Sequence, residues 1–96
     1  MFRSSIEQKL TLISTELKTL REELAVAEEQ LIQVSDEAED CRLRALVSET
    51  PLAAEEQRET TKAAAAVKRG RDAKLKRLQK LEKKQDDLLD QLIEAR

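Results

Sequence analysis

The chain of 96 residues contains no histidine, tryptophan or tyrosine, and it has one residue each of glycine, proline, cysteine and phenylalanine. Without histidine it can form neither a Ser-His or Cys-His catalytic pair nor the Glu-x-x-His ligand sets of di-iron helical bundles. Its single glycine, Gly70, excludes a glycine-rich phosphate-binding loop. We therefore predict a protein that is not an enzyme and that holds neither a cofactor nor a metal ion.

The scarcity of turn-forming and aromatic residues also bears on the fold. A globular domain needs several turns and large core side chains, whereas this chain has helix breakers for about one turn. Charged and hydrophobic residues each make up 40% of the chain, which is typical of long helices and coiled coils. The net charge of −2 is too small to indicate the chemistry of a partner.

Long apolar runs are missing as well. No segment reaches the ~18 apolar residues that span a bilayer, and the first residues lack the apolar stretch of a signal peptide. The one cysteine, Cys41, cannot form an intramolecular disulfide, which agrees with a reducing compartment. These features predict a cytoplasmic protein without a membrane partner, in which Cys41 is a small apolar filler between helices.

The single proline, Pro51, marks the turn of the predicted fold. Thr50 can cap a helix, and proline suits the first helical position because its missing N–H would have no partner there. Proline also disfavours helical geometry in the residue before it, so a preceding helix should end near Ser48. We predict an all-α fold, two long helices in an antiparallel coiled-coil hairpin. It forms one domain over residues 1–96, with helix 1 at about 4–48, the turn at about 49–50 and helix 2 at about 51–95.

A heptad pattern runs along the first helix. Apolar residues recur at alternating spacings of three and four, which predicts a stripe, or seam, that packs against a partner helix. The seam positions are Ile6, Leu10, Ile13, Leu17, Leu20, Leu24, Ala27, Leu31, Val34, Ala38, Cys41 and Ala45. We expect weaker packing toward the turn, because each buried leucine contributes roughly 1.5–3 kcal/mol and alanine far less.

The second helix complements the first when the chain folds back at the turn. Its leucines lie in the C-terminal half and its alanines near the turn, so large side chains meet large ones and small meet small. A strict heptad places Lys74 in the seam, and we expect a local change of register over residues 68–75 that turns Leu75 inward instead.

Residues 68–84 carry nine Lys or Arg against two Asp or Glu. Pairing with glutamates of helix 1, together with solvation, explains this basic run, and without interleaved aromatic residues nucleic acid is not an expected partner.

Several large apolar residues lie outside the seam, namely Leu12, Val26, Ile32, Leu43, Leu46 and Val47. The candidate protein-interaction surface, here called the tip cluster, consists of Leu43, Leu46, Val47 and Leu52. Either these residues only close the end of the hairpin or they contact another chain. Pairing of two hairpins into a four-helix bundle would cover the off-seam residues, so we expect a homodimer in addition to an unidentified protein partner. A domain-swapped dimer that opens at Pro51 would keep nearly the same contacts. The predicted function is that of an adaptor or scaffold.

Acidic residues near the turn suggest an alternative function. Residues 36–40 include four carboxylates and Glu49 lies at the apex, so the candidate acidic tip is Glu39, Asp40 and Glu49. A helical hairpin with an acidic tip resembles the coiled-coil part of Gre-type and DksA-type transcription factors. That resemblance implies a regulator that inserts carboxylates into a nucleic-acid enzyme such as RNA polymerase. It covers architecture alone, since those factors carry an additional globular domain and most of the acidic residues here precede the apex by two or three turns.

A second resemblance rests on residues 43–53, which read LRALVSETPLA. This stretch resembles the turn of small helical-hairpin proteins from actinobacteria. The resemblance implies a hairpin and brings no function that can be carried over to this chain.

Overall fold

The computed structural model of the protein describes residues 2–95. Helix α1 spans Phe2–Ser48, helix α2 spans Pro51–Glu94, and the described residues contain no strand. The predicted all-α fold, with two long helices packed against each other in a hairpin, is confirmed. Helices of 47 and 44 residues form without interruption because the one proline lies at the start of α2, where it breaks no helix. The one glycine, Gly70, lies within α2 and costs only about 1 kcal/mol relative to alanine.

The end of α1 has a left-handed backbone. Glu49, the residue after the last helical position, adopts φ 50°, and its N–H donates a hydrogen bond to the Ala45 carbonyl at 3.2 Å. This geometry satisfies one of the carbonyl groups that a helix end leaves without a partner. Glycine is the usual residue here, because a side chain crowds a left-handed backbone. Glu49 therefore holds a strained position that reverses the direction of the chain.

The start of α2 has the predicted cap. The Ala53 N–H donates to the Thr50 hydroxyl oxygen at 3.2 Å, and the Ala54 N–H donates to the Thr50 carbonyl at 3.1 Å. Pro51 occupies the first helical position, where no intrahelical N–H bond is lost. The roles predicted for Thr50 and Pro51 are confirmed, and a turn of only two residues connects the helices.

Two compact units share these helices. The terminal unit comprises the segment of α1 up to Leu24 and the segment of α2 from Lys74 onward, and the turn unit is Ala25–Ala73. Large aliphatic side chains fill the interior of the terminal unit, whereas small side chains predominate in the interior of the turn unit. The expected decrease in side-chain size toward the turn is therefore seen in burial as well as in sequence.

The terminal unit has a continuous hydrophobic core contributed by both helices. Its buried members are Ile6, Ile13, Leu17, Leu20, Leu78, Leu81 and Leu88, and Leu10, Leu24, Leu75 and Leu92 pack against them. Leu17 is the most completely buried, with 1% of its surface exposed. An ion pair between Arg77 and Glu16, with Nη2 and Oε1 2.7 Å apart, links the two helices beside this core. Both side chains are about half exposed, so the pair contributes at most ~1 kcal/mol.

The prediction that a change of register turns Leu75 inward in place of Lys74 is wrong as regards Lys74. Lys74 and Leu75 are both half-buried, and buried or half-buried positions continue at regular heptad spacing through Leu78, Leu81 and Gln85. Lys74 thus keeps its seam position, and Leu75 packs against the core from its edge. The aliphatic stem of lysine can lie along the seam while its ammonium group stays in water, so no interruption of the heptads is needed.

Candidate functional site

The turn unit buries little apolar surface. Ala27 and Cys41 are its only fully buried side chains, and on α2 its half-buried positions are small or polar, such as Gln57, Thr60 and Ala64. Its exposed large hydrophobic side chains are Val26, Ile32, Leu43, Leu46, Val47 and Leu52. The turn unit therefore carries six of its nine leucine, isoleucine and valine side chains on the surface, while Leu31, Val34 and Val67 are half-buried. This distribution is typical of a unit that another chain covers.

The tip cluster comprises four of these residues. Leu43, Leu46 and Val47 have the i, i+3, i+4 spacing that places them on one face of α1. Leu46 is 63% exposed, Val47 86% and Leu52, at the second position of α2, 69%. Such exposure means that these side chains do little to close the end of the hairpin, and most of their surface is available to another chain.

An open depression of about 390 Å³ adjoins the tip cluster at Leu46. Ala45, Glu49, Thr50 and Pro51 line it, together with residues of the first turns of α2. The small side chain of Ala45 and the two-residue turn leave this space between the helix ends. The depression is too open to exclude water from a reacting group, and its apolar rim suits a side chain of a partner protein.

The three residues of the candidate acidic tip are exposed, and Glu49 is distant in sequence from the other two. Glu39 and Asp40 are on α1, about two and a half turns before Glu49. Both oxygens of the Glu39 carboxylate accept hydrogen bonds from Arg42, at 2.7 Å from Nη2 and 3.0 Å from Nε. Hydrogen bonding to Arg42 holds the pKa of the Glu39 carboxyl below its usual value. Arg42 thus partly neutralises one of the three charges on which an acidic tip depends.

Cys41 is buried in the turn unit and accepts a hydrogen bond from Arg44. It is 3% exposed, and Arg44 Nη2 lies 3.0 Å from its sulfur. This hydrogen bond raises the pKa of the already basic Arg44 guanidinium. Arg44 follows Cys41 by three residues, so the two side chains lie one helical turn apart on the same side of α1. The interpretation of Cys41 as a buried filler agrees with this geometry, and the contact with Arg44 was not foreseen.

Residues 2–95 contain no group of three or more cysteine or carboxylate side chains placed to hold a metal ion. No buried side-chain nitrogen or oxygen in this part of the chain lacks a hydrogen-bond partner. Of the basic run at 68–84, Arg77 pairs with Glu16 of α1, as predicted, and Arg71 pairs with its neighbour Asp72 at 2.8 Å. The described residues therefore present surfaces for contact and no enclosed polar site.

Comparison of the chain with models of protein families, with curated proteins and with solved structures finds no match in any of the three. Neither α1 nor α2, over the residues described, has an apolar stretch long enough to cross a membrane.

Proposed function

We propose that this protein is a non-enzymatic, cytoplasmic adaptor or scaffold, an antiparallel coiled coil that acts through protein–protein contacts and self-association. One observation carries the proposal, namely that the turn unit fully buries only Ala27 and Cys41 while six large aliphatic side chains lie on its surface. A reducing compartment suits the free thiol of Cys41.

Energetics support a partner at this unit. Full burial of one leucine or valine side chain contributes roughly 1.5–3 kcal/mol, so covering three residues of the tip cluster would add several kcal/mol of association free energy. Alanine, cysteine and threonine in the interior supply little stabilisation in comparison. Contact with another chain would thus stabilise the turn unit where its own packing is weakest.

The tip cluster is the proposed docking surface for a protein partner. Leu43, Leu46 and Val47 form an apolar strip on one helix face, beside the depression at Leu46. Such a strip suits an amphipathic helix whose apolar side chains recur at the same i, i+3, i+4 spacing. Self-association involves exposed residues of the turn unit outside the tip cluster, Ile32 among them.

The decisive test compares the double variant Leu46→Asp, Val47→Asp with the control Gln30→Asp, Ser35→Asp. Both variants add two carboxylates to exposed positions of α1, and only the first alters the tip cluster. A photo-crosslinking amino acid at Leu43 in each background, used in living cells, reports the partner. We expect a discrete crosslinked protein in the control and its loss in the tip variant. Equal crosslinking in both, with helix content preserved by circular dichroism, would contradict the proposal.

The regulator with an acidic tip remains the alternative, and mutation separates the two. Replacement of Glu39, Asp40 and Glu49 by alanine should abolish an activity that depends on carboxylates and leave tip-cluster crosslinking unchanged. The bidentate hydrogen bond that Glu39 accepts from Arg42 favours the adaptor, because a carboxylate paired in this way is less available to a distant metal ion.

A further inference from the structure

The two helices of the turn unit carry opposite charges on the sides that face away from the seam. On α1, the seam residues Ala27, Leu31, Val34, Ala38 and Cys41 are buried or half-buried. The positions about 160–180° around the helix from the centre of that seam, at 100° per residue, are Ala25, Glu29, Asp36, Leu43 and Val47. Two of them, Glu29 and Asp36, are acidic, and both are exposed.

On α2 two of the corresponding outer positions are basic, whereas Glu55, seven residues before Lys62, is acidic and exposed. Half-buried Thr60, Ala64 and Val67 define its seam, and Lys62 and Arg69 lie on the far side, both exposed. In each helix the two charged residues are seven apart, a rise of about 10.5 Å. The turn unit thus has an acidic row, Glu29 and Asp36, and a basic row, Lys62 and Arg69, with the same spacing.

These rows cannot neutralise each other within one chain. Each faces away from the other helix, and none of the four residues takes part in the ion pairs found among the described residues. Exposed charges are ordinarily satisfied by water, so exposure alone indicates nothing. The informative feature is the match in spacing between two rows of opposite sign on opposite sides of one unit.

We infer that the outer face of α1 in one copy binds the outer face of α2 in a second copy. The inference rests on the self-association in the proposed function and specifies its geometry, two hairpins side by side with their turns at the same end. Residues equally distant in sequence from Glu49 then lie opposite each other, because the adjacent helices run antiparallel. The resulting pairs are Glu29 with Arg69 and Asp36 with Lys62, and Asp40 and Arg58 lie at the same level beside them.

The surface of α2 has a depression at the edge of the basic row. It has a volume of about 470 Å³ and is lined by Arg58, Thr61 and Lys62 and by the half-buried residues Ala54 and Gln57. Lys62, which faces Asp36 of the adjacent copy in this arrangement, forms one side of it. Alanines at 65 and 66, both exposed, allow the two helices to approach closely.

Within the turn unit, one pair in this register has like charges, Glu39 opposite Glu59. Arg42 already binds the Glu39 carboxylate, with its closest contact at 2.7 Å, so the repulsion between the two glutamates is reduced.

The same charges disfavour a two-fold dimer through either outer face. Contact of α1 with α1 would oppose two acidic rows, and contact of α2 with α2 would oppose two basic rows. A contact that joins the acidic row of one copy to the basic row of another is heterologous, since each copy uses two different faces. Heterologous contacts do not close at two copies and lead to rings or open chains. Assembly should therefore continue beyond the dimer as concentration rises, and salt should weaken it because the pairs are exposed.

Three double variants test the inference by light scattering coupled to size exclusion at low salt. The acidic-row variant is Glu29→Lys, Asp36→Lys, which leaves both outer faces basic. The basic-row variant is Lys62→Glu, Arg69→Glu, which leaves both faces acidic. The control, Glu28→Lys, Glu37→Lys, changes net charge as the acidic-row variant does, at exposed positions outside the row. Circular dichroism checks that each variant is helical.

We expect the unchanged protein and the control to exceed the mass of two 10.9 kDa chains as concentration rises. Each row variant alone should stay monomeric, and an equimolar mixture of the two should assemble again, because basic faces then meet acidic ones. A mass that stops at two chains, or a mixture that stays monomeric, would overturn the side-by-side geometry and leave self-association itself standing. A monomer at every concentration would remove self-association as well, while crosslinking at the tip cluster tests the adaptor role independently.

Discussion

Leu17→Ala should be the most destabilising single truncation in the chain. Leu17 has 1% of its surface exposed and lies in the core cluster of the terminal unit, where both helices contribute leucines. Leucine-to-alanine changes at such sites cost roughly 2–5 kcal/mol, from lost burial and from the cavity that remains. Small domains have a total stability of only about 5–15 kcal/mol, so we expect a loss of ~3 kcal/mol to be plainly visible.

Urea unfolding followed by far-UV circular dichroism, at one fixed low protein concentration, measures this loss. With a slope of about 1–3 kcal/mol per molar urea, the midpoint should fall by roughly 1–3 M. Leu12→Ala is the matched control, because Leu12 is on the same helix and 71% exposed, and its change should stay within ~0.5 kcal/mol. Equal losses in the two variants would refute the assignment of the core to this stripe.

Three further predictions concern single side chains. Thr50→Ala should cost about 1 kcal/mol by removing the hydroxyl that accepts the Ala53 N–H, and Thr50→Ser should restore most of it in the same urea assay. Gly70→Ala should raise stability by about 1 kcal/mol, since an added Cβ meets nothing within 4 Å and alanine favours the helix; no increase in the midpoint would contradict this. Arg42→Ala should raise the pKa of Glu39 toward its usual value in a carboxyl NMR titration. Because the folded-state pKa of Glu39 is the lowered one, the stabilisation from its pair with Arg42 is present above the unfolded pKa and lost as pH falls through the folded pKa. An unchanged Glu39 titration would show that the pair does not persist in solution.

The turn could be predicted because its chemistry is local. Thr50 and Pro51 act on backbone groups within four residues of themselves, so the cap and the helix start are visible in the sequence. Glu49 could not be predicted in the same way, since the left-handed residue that ends a helix is usually glycine and a glutamate gives no such signal.

Side-chain placement within the helices was predictable only where periodicity and chemistry agree. The seam leucines of the terminal unit follow the heptad and are buried or half-buried as expected, with Leu17 and Leu81 among them. At Lys74 the two criteria conflict, and the residue keeps its heptad position because a long stem can be half-buried without burying its charge. The contact of Arg44 with Cys41 likewise depends on the rotamers of both side chains. Their spacing of three residues allows the contact but does not determine those rotamers.

Helix formation, the position of the turn and the stripe that each helix buries all arise from interactions over a few residues, and the amino-acid sequence alone is enough to establish them. How much each side chain is buried depends on what lies across from it, and this required the tertiary structure. Near the turn the seam side chains are too small to form a substantial interior, so the large aliphatic residues on the outer faces remain in water. The packing of two helices covers one stripe of each and leaves the opposite face of both uncovered, which is why the acidic and basic rows of the turn unit lie open to another chain.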